Sequence, residues 1–476
     1  MRPARDSAQR QRAVETRSRT TQRAASALQI LLLLLLVAAI AGIVGFALAR
    51  NALRKRLERI RASGAPLDVS DVEWLDRPRG ADPLPWFEEV QIRMDQWTEE
   101  SLNEGDGRLH AALEGIEGAE ERLSAASGLT ESFYRDLDRD LLDPRQAAEL
   151  VATYREALAL RVRESAEMLA LARRVDDRAP IDMRAAFGAK WAAKIDTVEL
   201  PYAASSELRS ALAAAALDSA MRGDAEAAAL DLQRMVRLAD LFQGSPTLLT
   251  VDWRASLLRH AMRSTLRCAH LLPPGALGPR MEPVLAAVRL TDEARFALEG
   301  ERAWVHAQFE EARRGRGTPP DEFDWPGGSI LLGLFADSAE SEALDEFQRQ
   351  IDSLESSWPE ARARFQALRL DREPANWWLT REMYEPRSDW GVVPLGTEAL
   401  CGLVRAALRA RDAGAEEGRA LASKTPDPFG TGPLRSRLEQ DGLLVLWSVS
   451  DDGVDHGGSL EDEYDLDFLV LVRPAR

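Results

Sequence analysis

Residues 217–239 read LDSAMRGDAEAAALDLQRMVRLA, and this stretch predicts two helices joined by a tight turn. Ser206 is a candidate N-cap for a first helix that ends at Met221, and a second helix follows the turn. Gly223 permits the backbone conformation that such a turn needs, and the many alanines let two helices approach closely. With a third helix after them, residues 205–272 are predicted to form a block of helical hairpins.

This block resembles half of a tetratricopeptide-type hairpin, which implies packed helix pairs. A period of about 34 residues does not recur along the chain, so the sequence predicts an irregular, TPR-like helical-hairpin bundle over residues 86–423. Between Leu344 and Leu368, apolar residues follow a heptad-like spacing that would suit a coiled coil. Ser357 and Pro359 are typical of a new helix start, however, and favour two packed helices. The predicted fold class is mostly α.

The charge of the chain is divided unevenly. Residues 1–61 carry thirteen basic and three acidic side chains, whereas the rest carries 48 basic and 75 acidic ones. The net charge is −17 overall and −27 beyond residue 61. Because proteins bind nucleic acids largely through Lys and Arg on the phosphates, so acidic a domain disfavours nucleic acid as a partner.

An uninterrupted apolar run extends from Leu28 to Leu48 and contains one glutamine and no charge. A helix of that length rises roughly 30 Å, which matches the hydrocarbon core of a bilayer. The run continues into a basic segment, which favours an uncleaved signal anchor over a cleaved signal peptide. Residues 28–49 are therefore predicted to be one N-terminal transmembrane helix.

Both flanks of the predicted span are basic, so the positive-inside rule alone does not orient it. Long domains cross a membrane largely regardless of charge, whereas a short arginine-rich tail resists crossing. Residues 1–27 are therefore predicted to be a cytoplasmic tail of a single-pass protein of the bacterial inner membrane, with the bulk of the chain extracytoplasmic. Residues 50–85 are predicted to be a juxtamembrane helix, ending near Ser63, and a linker rich in Pro and Asp.

The C-terminal residues 424–476 predict a small antiparallel β-module. LLVLWSV at 443–449 and LDFLVLV at 466–472 are strand-like apolar runs, separated by an acidic and glycine-rich loop. Eight carboxylates lie from Asp451 to Asp467. Crowded carboxylates suit Ca²⁺, which takes about six to eight oxygen ligands, although a solvated hairpin loop has the same composition.

Within this module, three segments resemble the C-terminal β-module of the major pseudopilin of type II secretion: PDPFGTGPL at 426–434, WSVSDDG at 447–453 and DHGG at 455–458. The resemblance implies a calcium site in the loop, formed by Asp452, Asp455, Asp465 and Asp467. Ahead of the apolar run there is no prepilin-type leader, and the run contains no glutamate, so pilus assembly is not implied.

The larger chain also resembles a group of bacterial membrane-anchored proteins without an assigned activity. The features in common are the basic signal anchor, the IRASGAP turn at 60–66, the GDAEAA hairpin at 223–228 and the same C-terminal module. This resemblance implies an architecture and no activity.

The sequence contains no recognisable catalytic motif. Its five histidines have no metal-ligand spacing, and neither a GxSxG elbow nor a phosphate-binding loop is present. Cys268 and Cys401 are either a disulfide pair or two buried apolar side chains. These observations favour a non-enzymatic interaction or scaffold protein of the cell envelope, with a protein partner there. The alternatives are an envelope hydrolase acting on polysaccharide or peptide, and an accessory component of a type II secretion or pilus-like system.

Overall fold

The computed structural model describes the residues 44–67, 80–100, 155, 158–159, 162–163, 165–181, 191–245, 247–314, 328–354, 356–363, 392–458 and 469–474. These residues are mostly α-helical and include one three-stranded antiparallel sheet, which confirms the predicted fold class at that level. The chain divides into two compact units. The smaller unit comprises Met1–Ala65, Val305–Asp345 and Pro374–Glu385, and the larger comprises Pro66–Trp304, Glu346–Glu373 and Pro386–Arg476.

Helix α1 covers residues 44–62, and the other helices of the described residues follow it along the chain. They are α2 Leu84–Glu100, α3 Ala166–Ala172, α4 Trp191–Met221, α5 Ala225–Asp240, α6 Leu248–Leu271, α7 Gly278–Ala286, α8 Thr291–Arg313, α9 Gly328–Leu354, α10 over residues 358–363, α11 Val392–Ala413 and α12 Ala415–Ala422. A short 3₁₀ helix, Arg173–Asp177, follows α3 directly.

The hairpins formed by α4, α5 and α6 agree with the predicted block. Gly223 has a φ of +78°, which only glycine adopts without strain, and it turns the chain between α4 and α5. The Asp224 side chain then caps α5 by accepting a hydrogen bond from the backbone N–H of Ala227 at 3.0 Å. Residues 211–216 of α4, five of them alanine, are buried where the hairpin helices pack together.

Helix α4 begins earlier than the sequence predicts. It starts at Trp191, so Ser206 lies inside the helix and is not an N-cap. The Ser206 hydroxyl instead accepts a hydrogen bond from Arg209 at 3.1 Å. Helices α2 and α3 pack against α4, and this tertiary packing outweighs the local cap signal at Ser206.

The described part of the segment with heptad-like spacing belongs to two helices. Helix α9 ends at Leu354 and α10 starts at residue 358, as the two-helix interpretation of the heptad segment requires. At the end of the predicted bundle, α11 and α12 are separated at Gly414, whose φ of 101° cannot continue a right-handed helix.

The C-terminal sheet has the strand order β1-β2-β3, with β1 Arg435–Leu438, β2 Leu444–Trp447 and β3 Leu469–Val472. Leu444 pairs with Val472 in the β2–β3 ladder, and the two strands lie inside the predicted apolar runs. Strand β1 was not predicted because its sequence, RSRL, is polar and half-exposed at the sheet edge. Both β2 and β3 pack on α11, so the sheet shares its core with the helices of the larger unit.

Helix α1 includes the last residues of the predicted span. None of the described helices is both long and apolar enough to cross a bilayer, and residues 28–43 lie outside the described part of the chain. Beyond α1, the start of the predicted linker is packed. Leu67 is buried, and the Pro66 carbonyl accepts a hydrogen bond from Arg302 at 3.2 Å.

Candidate functional site

The turn after β2 holds two of the four predicted calcium ligands. Asp452 and Asp455 lie in a segment where Gly453 and Gly457 have φ values of +70° and +73°. Because glycine adopts positive φ at no steric cost, these glycines let the chain reverse direction within a few residues. The glycine-rich composition of the loop therefore has a local backbone reason.

The carboxylate of Asp455 is surrounded by donors. Its Oδ1 accepts hydrogen bonds from the Trp447 indole at 2.9 Å and from the Gly457 backbone N–H at 3.0 Å. Its Oδ2 accepts one from the Arg435 guanidinium at 3.3 Å. Burial disfavours the charged form of Asp455, but these three donors outweigh burial and lower its pKa below the ordinary value of 3.8.

Asp452 is engaged within its own turn. Its Oδ1 accepts a hydrogen bond from the Val454 backbone N–H at 2.8 Å, and its Oδ2 lies 2.8 Å from His456 Nε2. Asp465 and Asp467, the other two predicted ligands, lie outside the described residues. Among the residues that the structure describes, no group of three His, Cys, Asp or Glu side chains is arranged to hold a metal ion. The calcium site stays a prediction.

Helix α10 holds this turn against the rest of the larger unit. The Trp358 indole donates to the Asp451 carbonyl at 2.8 Å, and Arg362 donates to the next carbonyl, that of Asp452. The Trp358 ring also packs edge-on against Phe429, with centroids 5.5 Å apart. Any ligand that rearranged the turn would therefore act on α10 as well.

Asp427 joins the two halves of the β-module. This buried carboxylate accepts hydrogen bonds from the Phe429 N–H at 3.1 Å, the Ser448 hydroxyl at 2.6 Å and the Val449 N–H at 2.9 Å. The Pro-Asp-Pro-Phe-Gly turn is thus fixed to the end of β2. In this geometry Asp427 is a structural residue of the module.

A buried ionic cluster, which the sequence analysis missed, joins three helices of the larger unit. Arg254 of α6 is 3% exposed and donates to Asp240 of α5 at 2.7 Å and to Glu293 of α8. We refer to these three residues as the Arg254 cluster. Beside it, the Glu398 carboxylate of α11 accepts hydrogen bonds from the Leu290 and Thr291 N–H groups at 2.6 and 2.8 Å, at the start of α8.

Glu293 is the carboxylate of this cluster whose ionisation is most disturbed. Burial raises the pKa of Glu293 to about 7, and the negative charges of Asp240 and Glu398 raise it further. The Arg254 charge and hydrogen bond act in the opposite direction without overcoming burial. Glu293 is therefore the residue here that titrates near neutral pH.

The smaller unit contains a second buried polar network. His306 of α8 bonds through Nδ1 to Glu340 of α9, which is 0% exposed. Arg313 of α8 donates to both Glu340 and Asp337, the latter at 2.9 Å. A histidine beside a carboxylate can act as a general base, but this pair lies out of contact with solvent. The arrangement fits a structural joint between α8 and α9.

The two cysteines are separate, buried thiols. Cys401 donates to the Leu285 carbonyl at 2.9 Å, and neither cysteine forms a disulfide. Burial raises the pKa of both thiols to about 12, so neither is a nucleophile at neutral pH. Of the two interpretations made from the sequence, the structure supports the buried apolar one.

Compared with known protein families, with characterised proteins and with solved structures, the chain matches none of them.

Proposed function

We propose that this protein is a membrane-tethered, non-enzymatic scaffold of the bacterial cell envelope, anchored by residues 28–49. One observation carries the proposal: the helix that includes the last residues of the apolar run is itself part of a folded unit. Helix α1 is described from residue 44, within the run, and continues without a break to residue 62. A membrane-tethered scaffold needs a rigid attachment to its anchor. A helix that leaves the bilayer and packs directly against a folded unit provides that attachment.

The packing of α1 supports this rigid attachment. Leu53 and Ile60 are buried on one face of the helix, as expected of an amphipathic helix against a core. On the same face, Arg56 donates to the Ser341 carbonyl and forms an ion pair with Asp345, both in α9 of the smaller unit. Only about 6 Å of helix separates Ala49, the end of the predicted span, from Leu53.

The orientation and the partner belong to the same proposal. The arginine-rich residues 1–27 stay in the cytoplasm, and the acidic remainder lies outside the inner membrane, where it binds another envelope protein. Helical hairpins such as α4–α5 and α5–α6 are surfaces of the kind that bind proteins, and the net charge of −27 beyond residue 61 opposes nucleic-acid binding. The alternatives to this function are an envelope hydrolase and an accessory protein of a secretion system.

Fusions to the C-terminus test the tether. In the proposed orientation, alkaline phosphatase at the C-terminus is active and a cytoplasm-dependent fluorescent protein there is dark. The full chain also stays in the membrane pellet after alkaline carbonate washing. A fluorescent fusion without phosphatase activity, or a chain released by carbonate, contradicts the proposal.

Purification of the full chain tests the scaffold function. After mild detergent extraction, a protein partner is expected to co-purify in a fixed ratio, and the complex leaves envelope polysaccharide and peptide intact. A monomer that cleaves an envelope polymer would establish the hydrolase instead. Co-purification with secretion or pilus components would establish the accessory role.

A bound Ca²⁺ in the β-module is a further part of the proposal. Asp452 and Asp455 supply carboxylates in one turn, with Asp465 and Asp467 predicted to complete the set. Ca²⁺ is expected to raise the melting midpoint of the detergent-solubilised full chain relative to a chelator, since a ligand that binds only the folded state stabilises it. Asp452→Asn should reduce the rise, and Glu417→Gln on exposed α12 should not. An unchanged wild-type midpoint would refute the metal site.

A further inference from the structure

Helix α1 has a buried face and a basic exposed face. Leu53 and Ile60 are 5% exposed each, and Phe46, Ala49 and Leu57 lie partly buried along the same face. The remainder of the helix surface is exposed and carries five basic side chains: Arg50, Arg54, Lys55, Arg59 and Arg61. We call these five residues the basic face.

The described residues neutralise little of the charge of the basic face. Its one acidic neighbour on the helix is Glu58, which lies 3.9 Å from Arg54 with both side chains exposed. Such an exposed pair at the limit of ion-pair distance neutralises little charge. In the described part of the chain, the side chains of Arg50, Lys55 and Arg61 form no hydrogen bond and no ion pair. Arg56 of the buried face, by contrast, is paired with Asp345.

The position of the basic face, directly after the predicted span, points to lipid headgroups as its partner. Arg50, Arg54 and Lys55 follow the end of the predicted span, Ala49, by one to six residues, which corresponds to roughly 2–9 Å of helix. The headgroup layer of a bilayer occupies about 5–8 Å on each side of the hydrocarbon. A helix leaving the bilayer therefore carries its first three exposed cations through the layer that contains lipid phosphates.

We infer that the exposed face of α1, mainly through Arg50, Arg54 and Lys55, binds anionic phospholipid headgroups of the membrane that the apolar run enters. This inference rests on the proposed tether. Arg59 and Arg61 lie about 15–18 Å along the helix from the end of the span, or about 7–13 Å past the headgroup layer. A Debye length of about 8 Å weakens their attraction to the phosphates over that distance, so they contribute less. The acidic remainder of the chain, with a balance of −27, is repelled by the same surface.

Lipid retention by the full chain tests this inference. The chain is reconstituted into vesicles of equal phosphatidylglycerol and phosphatidylcholine, extracted in mild detergent, and its bound lipids are counted. Because each basic residue near an anionic surface favours anionic lipid by about fivefold, the retained ratio of phosphatidylglycerol to phosphatidylcholine should fall at least about fivefold when Arg50, Arg54 and Lys55 are all changed to Gln. Changing Arg59 and Arg61 to Gln should lower it less than about twofold.

A matched control changes Arg280, Arg289 and Arg409 to Gln, three exposed arginines of the larger unit, and should leave the ratio unchanged. Since the arginines of residues 1–27 are present in every variant, only differences between variants report on α1. The inference fails if the first variant retains lipids as the wild type does, or if the control lowers the ratio equally. Flotation separates the two proposals: a chain that does not float with vesicles overturns both, and a floating chain whose variants do not differ overturns the headgroup contact alone.

Discussion

Replacing Arg254 with methionine is expected to lower the free energy of unfolding by about 3–5 kcal/mol at pH 8. Arg254 is 3% exposed and is the cation that pairs with both Asp240 and Glu293, so its loss leaves the largely buried Glu293 and the partly buried Asp240 without their positive charge. Methionine keeps the apolar stem, which limits any cavity. Denaturant unfolding of the detergent-solubilised full chain, followed by circular dichroism, measures the change.

Two further variants separate the charge from the packing. Arg174 donates through its Nη1 to both carboxylate oxygens of Glu89, at 3.0 and 2.8 Å. Their side chains are 44% and 47% exposed, so Arg174→Met should cost less than about 1 kcal/mol. Adding Glu293→Leu to Arg254→Met removes one stranded carboxylate and should restore part of the stability. If the free energy of unfolding of Arg254→Met lies within about 1 kcal/mol of the wild-type value, the cluster does not stabilise the packing of α5, α6 and α8.

The parts of the fold that the sequence predicted are those with local signals. The turn after α4 follows from Gly223 and from the Asp224 cap, which act within four residues of each other. The β2 and β3 strands follow from two apolar runs flanked by glycine and acidic residues. Each of these features depends on neighbours in the chain and needs no knowledge of distant partners.

Features that depend on distant partners were missed. Arg254 stands among Val251 and Leu258 on the buried face of α6, and a charge at a core-facing position is a signal that the sequence analysis could have used. Its partner Glu293, however, is 39 residues away, and nothing in a helical pattern selects one acid among many. The same holds for His306 and Glu340, which are 34 residues apart.

The acidic loop illustrates the same limit at the predicted metal site. Its composition predicted oxygen ligands, and two of the four, Asp452 and Asp455, do lie in one turn. What composition did not reveal is that Asp455 already accepts hydrogen bonds from Trp447 and Arg435. A cation bound there would have to compete with these donors, so the affinity of the loop depends on contacts made outside it.

The ionisation of Glu293 is expected to make the stability of the chain fall as the pH rises. Its folded pKa of about 7 lies above the ordinary value of 4.5, so between these two values the folded state binds one more proton than the unfolded state. Over that window each pH unit costs about 1.4 kcal/mol, or roughly 3 kcal/mol in all. The contribution of protonated Glu293 to the free energy of unfolding is fully present below about pH 4.5 and is lost by the time the pH passes 7.

Glu293→Gln isolates this contribution, because glutamine has similar size and does not titrate. Between pH 5 and 7, wild-type stability should fall about 2–3 kcal/mol more than that of Glu293→Gln, while Glu417→Gln on exposed α12 should parallel the wild type. The two predictions are coupled, since protonated Glu293 no longer needs a cation: Arg254→Met should cost less at pH 5 than at pH 8. Parallel pH curves for wild type and Glu293→Gln would mean that Glu293 stays ionised in the fold. The Arg254 charge and hydrogen bond would then offset the effect of burial on the Glu293 pKa.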